Sequence, residues 1–229
     1  MTRAGSILFV VAAPKEWQAV AEGLGHTADA HAKELRGPGW TLIASGVGKS
    51  RAAAAAARAL AHGRFDACIN LGIAGSLPIE GEAPCAIGTV IAASRSVLAD
   101  EGVDTPDAWL PMSALGFSTA IGGESVQADA GLLARLSPLA DRTGVIATVS
   151  TCSGIDARAK AVAARTGALV EAMEGAAVGV AALAASVPFA ELRVVSNTTG
   201  DRSRQRWDLP LALGRLSRLA GEIITRTGS

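Results

Sequence analysis

The fold class is decided by the stretch Ser6–Ala12 (SILFVVA), which is apolar at nearly every position, and by Ala13–Trp17 (APKEW), which follows it directly. A continuous apolar run of this length predicts a strand that is covered on both faces, as in a parallel sheet. Pro14 predicts the start of a helix that continues to about Leu24, because a proline in the first turn loses no helical hydrogen bond. A strand that leads directly into a helix indicates an α/β protein.

The rest of the chain repeats this alternation. Further strands are predicted at 40–44, 67–71, 88–94, 145–150 and 189–196, and further helices at 49–62, 129–140, 156–165, 173–186 and 208–226. This order predicts a three-layer α/β/α fold around a mostly parallel, twisted mixed sheet. No linker or repeat divides the sequence, so we expect residues 1–229 to form a single domain. The irregular segment 98–123 is predicted to be a loop that covers a site or faces a partner.

Composition excludes several classes of function. The 229 residues are 49% hydrophobic, and 21 basic side chains balance 21 acidic ones, so no basic excess favours nucleic acid or an anionic membrane. The first apolar run is too short for a signal peptide or a membrane span. Cys68, Cys85 and Cys152 lack metal-ligand spacing and are predicted to be reduced and buried, which favours the cytoplasm. The three histidines are dispersed, so we expect no metal and no cofactor.

Two stretches in the C-terminal half carry side chains suited to a nucleoside, Val170–Ala177 (VEAMEGAA) and Arg193–Asn197 (RVVSN). The Met173 thioether can pack on the face of a ribose, while the Glu174 carboxylate accepts hydrogen bonds from both vicinal hydroxyls. The Asn197 carboxamide offers a donor and an acceptor, which matches the edge of a 6-oxopurine, whereas an aspartate would suit adenine. Each has a plainer interpretation, a helix-terminal acid for Glu174 and an Asx turn for Asn197.

Three further motifs can each be interpreted as part of the local structure or as part of a functional site. Glu16 is either an acid that complements the helix dipole, which its position alone favours, or a general base. Gly46–Ser50 (GVGKS) only half matches a phosphate-binding loop and is interpreted as a tight turn. Asn70–Ser76 (NLGIAGS) is predicted to be a turn at the end of a strand, with or without a ligand beside it.

Five short motifs occur along the chain in this order: Ala12 with Glu16, GVGK at 46–49, GIAG at 72–75, MEGA at 173–176 and SN at 196–197. In this order they resemble the nucleoside phosphorylase and nucleosidase superfamily across nearly the whole chain. Their spacing is most similar to that of the methylthioadenosine/adenosylhomocysteine nucleosidases. Asn197 and the tail Gly200–Asp208 (GDRSRQRWD) instead resemble the futalosine hydrolases of menaquinone biosynthesis. This resemblance implies hydrolysis of the N-glycosidic bond of futalosine to hypoxanthine and dehypoxanthine futalosine, by at least a homodimer.

The resemblance also implies roles for individual residues. Glu16 would activate water, Met173 and Glu174 would bind the ribose, and Asn197 would activate the leaving base. The other positions expected at the substrate are Gly75, Ser76, Gly154, Ile155, Ser196 and Arg202. The segment Cys152–Ile155 falls where the family packs against the base, although the aromatic residue common there is missing.

The resemblance implies a substrate whose distal arm carries a benzoate. Arg202, Arg204 and Arg206 are candidates to pair with it, and a solvated basic loop is the favoured alternative.

Alternative activities follow from the same residues. A methylthioadenosine/adenosylhomocysteine nucleosidase is disfavoured by Asn197. A purine nucleoside phosphorylase is disfavoured because Asn70 and Ile73 stand where hexameric phosphorylases carry arginine and serine, so that phosphate is expected to meet Glu16 rather than a cation. A non-catalytic nucleoside-binding protein would have little need of both Glu16 and Glu174.

Overall fold

A computed structural model describes residues 6–27, 29, 32–117 and 123–227. The strands are β1 Ile7–Val11, β2 Glu34–Gly37, β3 Trp40–Ala44, β4 Ala67–Ser76, β5 Val90–Leu98, β6 Gly102–Asp104, β7 Trp109–Pro111, β8 Ser125–Gln127, β9 Arg142–Thr148, β10 Ala168–Ala172 and β11 Phe189–Thr198. The helices are α1 Pro14–Gly23, α2 Lys49–His62, α3 Ala130–Leu136, α4 Asp156–Thr166, α5 Gly175–Ala184 and α6 Leu209–Thr227.

The main sheet is mixed and partly closed. Its strands follow the order β10-β9-β5-β11-β4-β1-β3-β2, and β8 pairs with β5. The neighbours β3, β1, β4 and β11 are mutually parallel. Strand β10 also pairs antiparallel with β4, which closes β4, β11, β5, β9 and β10 into a small ring. The carboxyl ends of β1, β4 and β11 therefore lie side by side.

Both faces of the sheet are covered, and β1 shows why its sequence is continuously apolar. Ile7, Phe9 and Val11 pack with helices α1 and α6, whereas Leu8 and Val10 point to the opposite face and pack with α2 and α5. Successive side chains of a strand alternate between faces, so a strand inside a three-layer fold needs apolar residues at every position. The expected α/β/α fold with a mixed sheet is confirmed.

Element boundaries follow the sequence predictions closely at 40–44 and 49–62. The prediction for Asn70–Ser76 is wrong, because this stretch is not a turn but the second half of β4. Strand β11 pairs with β4 along its length, up to Thr198 opposite Ser76, and this pairing keeps the glycine-containing half extended. Asn197 likewise lies within β11 rather than after it.

Two other expectations need correction. The segment 98–123 contains the hairpin of β6 and β7 and a short 3-10 turn, Met112–Leu115, while residues 118–122 lie outside the described part. Cys68 and Cys85 are buried as predicted, but Cys152 is exposed, because it lies in the loop beyond the carboxyl end of β9. Across the described ranges, no helix combines the length and the apolar character that a membrane crossing requires.

Candidate active site

The candidate site begins at a buried arginine on β11. Arg193 is fully buried, and its guanidinium donates through Nε to Glu191 Oε1 at 2.7 Å and through Nη2 to Asn70 Oδ1. Its Nη1 lies 3.4 Å from Glu174 Oε2. Burial by itself lowers the pKa of Arg193, but the surrounding carboxylates raise it further than burial lowers it. The guanidinium is therefore held as a fixed cation.

Glu16 approaches the same point from the start of α1. One carboxylate oxygen, Oε2, accepts from the backbone N–H groups of Ala13 at 2.8 Å and Ala12 at 3.2 Å. The other, Oε1, accepts from the N–H of Ile73 on β4 at 2.8 Å. Burial raises the pKa of Glu16, and the charge of Arg193 opposes that rise only in part. A carboxyl with a raised pKa is suited to general-base chemistry near neutral pH.

Gly72 on β4 lets these two groups meet. A Cβ atom at this position would lie 2.3 Å from Arg193 Nη1 and 2.6 Å from Glu16 Oε1. Both distances are shorter than real Cβ contacts, so the side chains of Arg193 and Glu16 occupy the space that any other residue would fill. The glycine predicted to serve a turn instead permits a close approach of charged groups across a strand.

Glu174 is positioned from two directions. It is the residue before α5, and it is almost completely buried. Its Oε1 accepts from the backbone N–H of Gly48 at 3.1 Å, and Gly48 has a φ of +102°, a conformation that favours glycine. The turn predicted at 46–48 is confirmed, and it also orients a carboxylate. Met173, the preceding residue, is partly buried.

A cavity of about 300 Å³ lies farther along the same two strands, where Gly75 of β4 and Asn197 of β11 line it. Within the described part of the chain, Glu16, Glu174 and Arg193 are not among its lining residues. Its lining includes Gly75, Gly154, Asn197 and Arg202 among the predicted substrate residues. Its other lining residues are Cys152, Ser153, Glu171, Gln205 and Trp207.

Asn197, which the sequence analysis predicts to contact the base, is buried and lines this cavity. Its Nδ2 donates to the Thr198 carbonyl at 2.9 Å, and its Oδ1 accepts from Ser196 Oγ at 2.8 Å. These bonds hold the carboxamide plane in one orientation. The backbone of Asn197 also bridges that of Trp207, which brings an aromatic ring to the cavity from the C-terminal tail.

The basic tail is divided by its contacts. Arg202 lines the cavity, and its guanidinium lies 4.9 Å from the centre of the Trp207 ring. Arg204 instead pairs with Asp156 at 2.6 Å and with Asp201 at 3.1 Å on the exposed surface. Arg202 therefore faces the cavity, whereas Arg204 is engaged in local ion pairs.

Six predicted site residues are not among the lining residues of this cavity in the described part of the chain: Glu16, Ser76, Ile155, Met173, Glu174 and Ser196. Ile155 is 62% exposed and precedes α4. Ser76 is buried, and its carbonyl accepts from Thr199 Oγ1 at 2.7 Å.

Sequence reasoning missed several residues of this site, above all Arg193. Its signal was present: Glu191 and Arg193 are charged residues two apart in a strand that is otherwise apolar, so they share one face. Charged residues are rarely fully buried unless they are paired, and such a pattern predicts a buried ion pair.

The sequence-based prediction that phosphate would meet Glu16 and no cation is also wrong, because it overlooked Arg193. A cation does lie beside Glu16, contrary to the expectation from sequence. However, Arg193 already faces three carboxylates, those of Glu16, Glu174 and Glu191, so the cluster keeps a net negative charge when all are ionised. A phosphate dianion would meet repulsion here, and a neutral water molecule would not.

Comparisons with known proteins show which family the sequence matches. Residues 7–226 match the Phosphorylase superfamily. A futalosine hydrolase of Streptomyces coelicolor is 40% identical over 193 residues, which cover 81% of this chain and 78% of that protein. A futalosine hydrolase of Thermus thermophilus is 32% identical over 195 residues, which cover 85% of each chain.

Solved structures extend the comparison to the fold. A 5′-methylthioadenosine/S-adenosylhomocysteine nucleosidase of Neisseria meningitidis, in complex with methylthio-immucillin-A, has a TM-score of 0.75 and 19% identity, and the match covers 96% of this chain and 98% of that one. An S-adenosylhomocysteine nucleosidase of Streptococcus pyogenes has a TM-score of 0.72 and 23% identity, with 99% and 97% covered. At these identities, the likeness concerns the fold.

Proposed function

Because the chain belongs to the phosphorylase superfamily and, within it, to the futalosine hydrolases, we propose that it cleaves the N-glycosidic bond of futalosine with water. The products are hypoxanthine and dehypoxanthine futalosine. The observation that carries this proposal is the cluster of Glu16, Arg193 and Glu174, which forms around Gly72 of β4 and Arg193 of β11. The same two strands carry Gly75 and Asn197 to the cavity.

The chemistry requires opposite charges at the two ends of the breaking bond. As the bond between C1′ and N9 lengthens, positive charge develops on the ribose and negative charge on the purine. Groups that meet these charges better in the transition state than in the ground state accelerate the reaction. In this mechanism the carboxylate of Glu174 accepts hydrogen bonds from the ribose hydroxyls and faces the developing cation.

Glu16 activates the nucleophile in this mechanism. Its carboxylate accepts a proton from a water molecule that attacks C1′. Backbone donors on both oxygens hold the carboxylate in place, so little reorganisation is needed when the proton is transferred. Arg193 balances part of the negative charge and so offsets part of the repulsion between the carboxylates of Glu16 and Glu174.

Asn197 stabilises the departing base. Its carboxamide can donate to the oxygen or nitrogen acceptors on the edge of hypoxanthine, where negative charge accumulates. Trp207 offers an aromatic surface beside the same cavity, and Arg202 offers a guanidinium for the benzoate of the distal arm. The contacts of Arg204 with Asp156 and Asp201 favour Arg202 for this role.

The cellular setting belongs to the same proposal. We infer that the enzyme acts in the cytoplasm, in menaquinone biosynthesis, as a homodimer or a larger homo-oligomer. The resemblance to the futalosine hydrolases supports the pathway. Size-exclusion chromatography with light scattering tests the oligomeric state, and a purely monomeric protein at working concentration would contradict it.

The experiment that tests the activity is hypoxanthine release from futalosine in phosphate-free buffer, with inosine and methylthioadenosine as parallel substrates. Rapid release from futalosine supports the proposal. Release that requires added phosphate would identify a phosphorylase and would remove the role given to Glu16. Release of adenine from methylthioadenosine at a higher rate would assign the chain to the other nucleosidase class.

A further inference from the structure

The cavity contains a second buried acid that the proposed mechanism does not use. Glu171 lies on β10, is only 4% exposed and lines the cavity with Asn197. In the described part of the chain it forms no ion pair, and its hydrogen bonds come from Ser153 alone, through N–H to Oε1 at 2.6 Å and through Oγ to Oε2 at 2.7 Å. A buried carboxylate without a cation is costly, so its presence calls for a partner.

The sheet places Glu171 and Asn197 in one row. Glu171 is paired with Gly75 across β10 and β4, and Gly75 is paired with Asn197 across β4 and β11. A Cβ atom at Gly75 would lie 3.7 Å from Glu171 Cγ and 3.2 Å from Asn197 Nδ2. The nearest atom to this point is the Thr199 methyl carbon Cγ2, at 2.8 Å. The carboxylate and the carboxamide therefore flank the backbone of Gly75 from opposite sides, and the methyl group of Thr199 packs over it.

After its two bonds with Ser153, the Glu171 carboxylate can still accept hydrogen bonds from a ligand. Each carboxylate oxygen has two lone pairs, and Ser153 uses one on each oxygen. The two bonds fix the plane of the carboxylate, so its remaining acceptor positions have a defined direction. Burial raises the pKa of Glu171, which agrees with a carboxyl that lacks a close cation.

The two purine classes differ in what they offer such a pair. A 6-oxopurine presents the N1–H donor together with the acceptors O6 and N7. A 6-aminopurine presents N1 as an acceptor and the exocyclic amine as a donor. An ionised carboxylate accepts from N1–H of the first class and repels the N1 lone pair of the second.

We propose that Glu171 is a specificity-determining residue, whose carboxylate accepts the N1–H of a 6-oxopurine while Asn197 donates to the neighbouring acceptors of the same base. This inference rests on the proposed function, because it names the base that the cavity recognises. Selection by two groups is stronger than selection by Asn197 alone, because the wrong base leaves a buried carboxylate unpaired.

The test compares Glu171→Gln with the wild type on futalosine and on its 6-amino analogue. Because Ser153 N–H retains the remaining oxygen, the new amide of Gln would face the base as a donor. We expect the ratio of kcat/KM for the 6-oxo over the 6-amino substrate to fall at least about tenfold, which corresponds to one hydrogen bond to a charged group.

Matched variants separate recognition from structure. Ser153→Ala removes one of the two bonds that orient Glu171 but keeps the carboxylate, so it should lower the ratio by less than Glu171→Gln does. Glu171→Asp keeps a carboxylate and should retain part of the preference, and it serves as the test if Glu171→Gln does not fold. If Glu171→Gln lowers both substrates equally, Glu171 only holds the loop at Ser153, and the inference is overturned.

A binding measurement makes the test independent of turnover. Calorimetry with free hypoxanthine and free adenine should show a preference for hypoxanthine that Glu171→Gln abolishes. That result supports the inference even if futalosine is not hydrolysed, in which case only the proposed function fails. Hydrolysis of futalosine with an unchanged base preference in the variant would overturn the inference and leave the proposed function intact.

Discussion

Arg193 Nη1 lies 3.4 Å from Glu174 Oε2, and both side chains are almost completely buried. This contact joins β11 to the start of α5. It belongs to a buried network in which Arg193 also binds Glu191, and Ser96 Oγ donates to Glu191. Such a network holds the proposed ribose-binding carboxylate in one orientation before substrate arrives, which reduces the reorganisation that catalysis requires.

Replacing Arg193 with methionine should destabilise the protein by about 3–5 kcal/mol, because removal of one partner leaves buried carboxylates uncompensated.

Loss of the cation raises the pKa of Glu16, so the Arg193→Met variant binds more protons when folded than when unfolded. Its stability therefore falls further as pH rises. Urea unfolding at about pH 5 and about pH 8 should show the smaller deficit at the lower pH. Arg204→Met, at an exposed pair, is the control. An equal deficit at both values would contradict this account.

Glu16→Gln should lower kcat by about 10²–10⁴-fold, the usual contribution of a general base, while substrate binding is largely retained. Glu22→Gln, on the exposed side of the same helix, is the matched control and should leave kcat unchanged. Steady-state hydrolysis and calorimetric binding measure the two effects. Loss of binding with normal turnover of bound substrate would contradict the role of Glu16.

The pH profile should show an acid limb above the ordinary glutamate pKa of 4.5, because burial raises the pKa of Glu16. The base must be ionised to accept a proton, so activity is lost as pH falls through this raised value. A plot of kcat/KM against pH locates this acid limb. The residual activity of Glu16→Gln should not show the same loss at low pH. A wild-type limb at or below 4.5 would show that another group controls the rate.

Gly72→Ala should abolish activity and destabilise the fold, because the new Cβ would lie 2.3 Å from Arg193 Nη1. Gly214→Ala is the control, since a Cβ there meets no atom within 4 Å and helix α6 should gain about 1 kcal/mol. Thermal unfolding and hydrolysis assays measure both variants. Normal activity in Gly72→Ala would mean that the meeting of Arg193 and Glu16 is not required.

Arg202→Ala should raise the KM for futalosine by about fivefold, as expected for an exposed ion pair of about 1 kcal/mol. The KM for inosine, which lacks the benzoate, should not change. Arg204→Ala should affect neither substrate, because Arg204 pairs with Asp156 and Asp201. An equal rise in KM for futalosine and inosine would assign Arg202 to the base or the ribose instead.

The local part of the fold was predictable because each element carries its own signal. The apolar run of β1 and the proline of α1 mark their positions without reference to the rest of the chain. The same holds for Asp208, a residue type favoured before a helix, which accepts from the N–H of Leu211 in α6 at 3.0 Å. The second half of β4 was missed because its glycines favour a turn, and pairing with β11 and β10 keeps it extended.

By itself, the sequence determined the alternation of strands and helices, the proposed ribose-binding pair Met173 and Glu174, and the choice of asparagine at 197. Only the tertiary structure decided that Arg193 meets Glu16 and Glu174, and that Glu171 flanks Gly75 opposite Asn197. Periodicity and propensity report the surroundings of a residue along its own strand or helix. Charge pairing between Glu16 and Arg193, which are far apart in sequence, depends on which strands become neighbours, and that order is set by packing of the whole sheet.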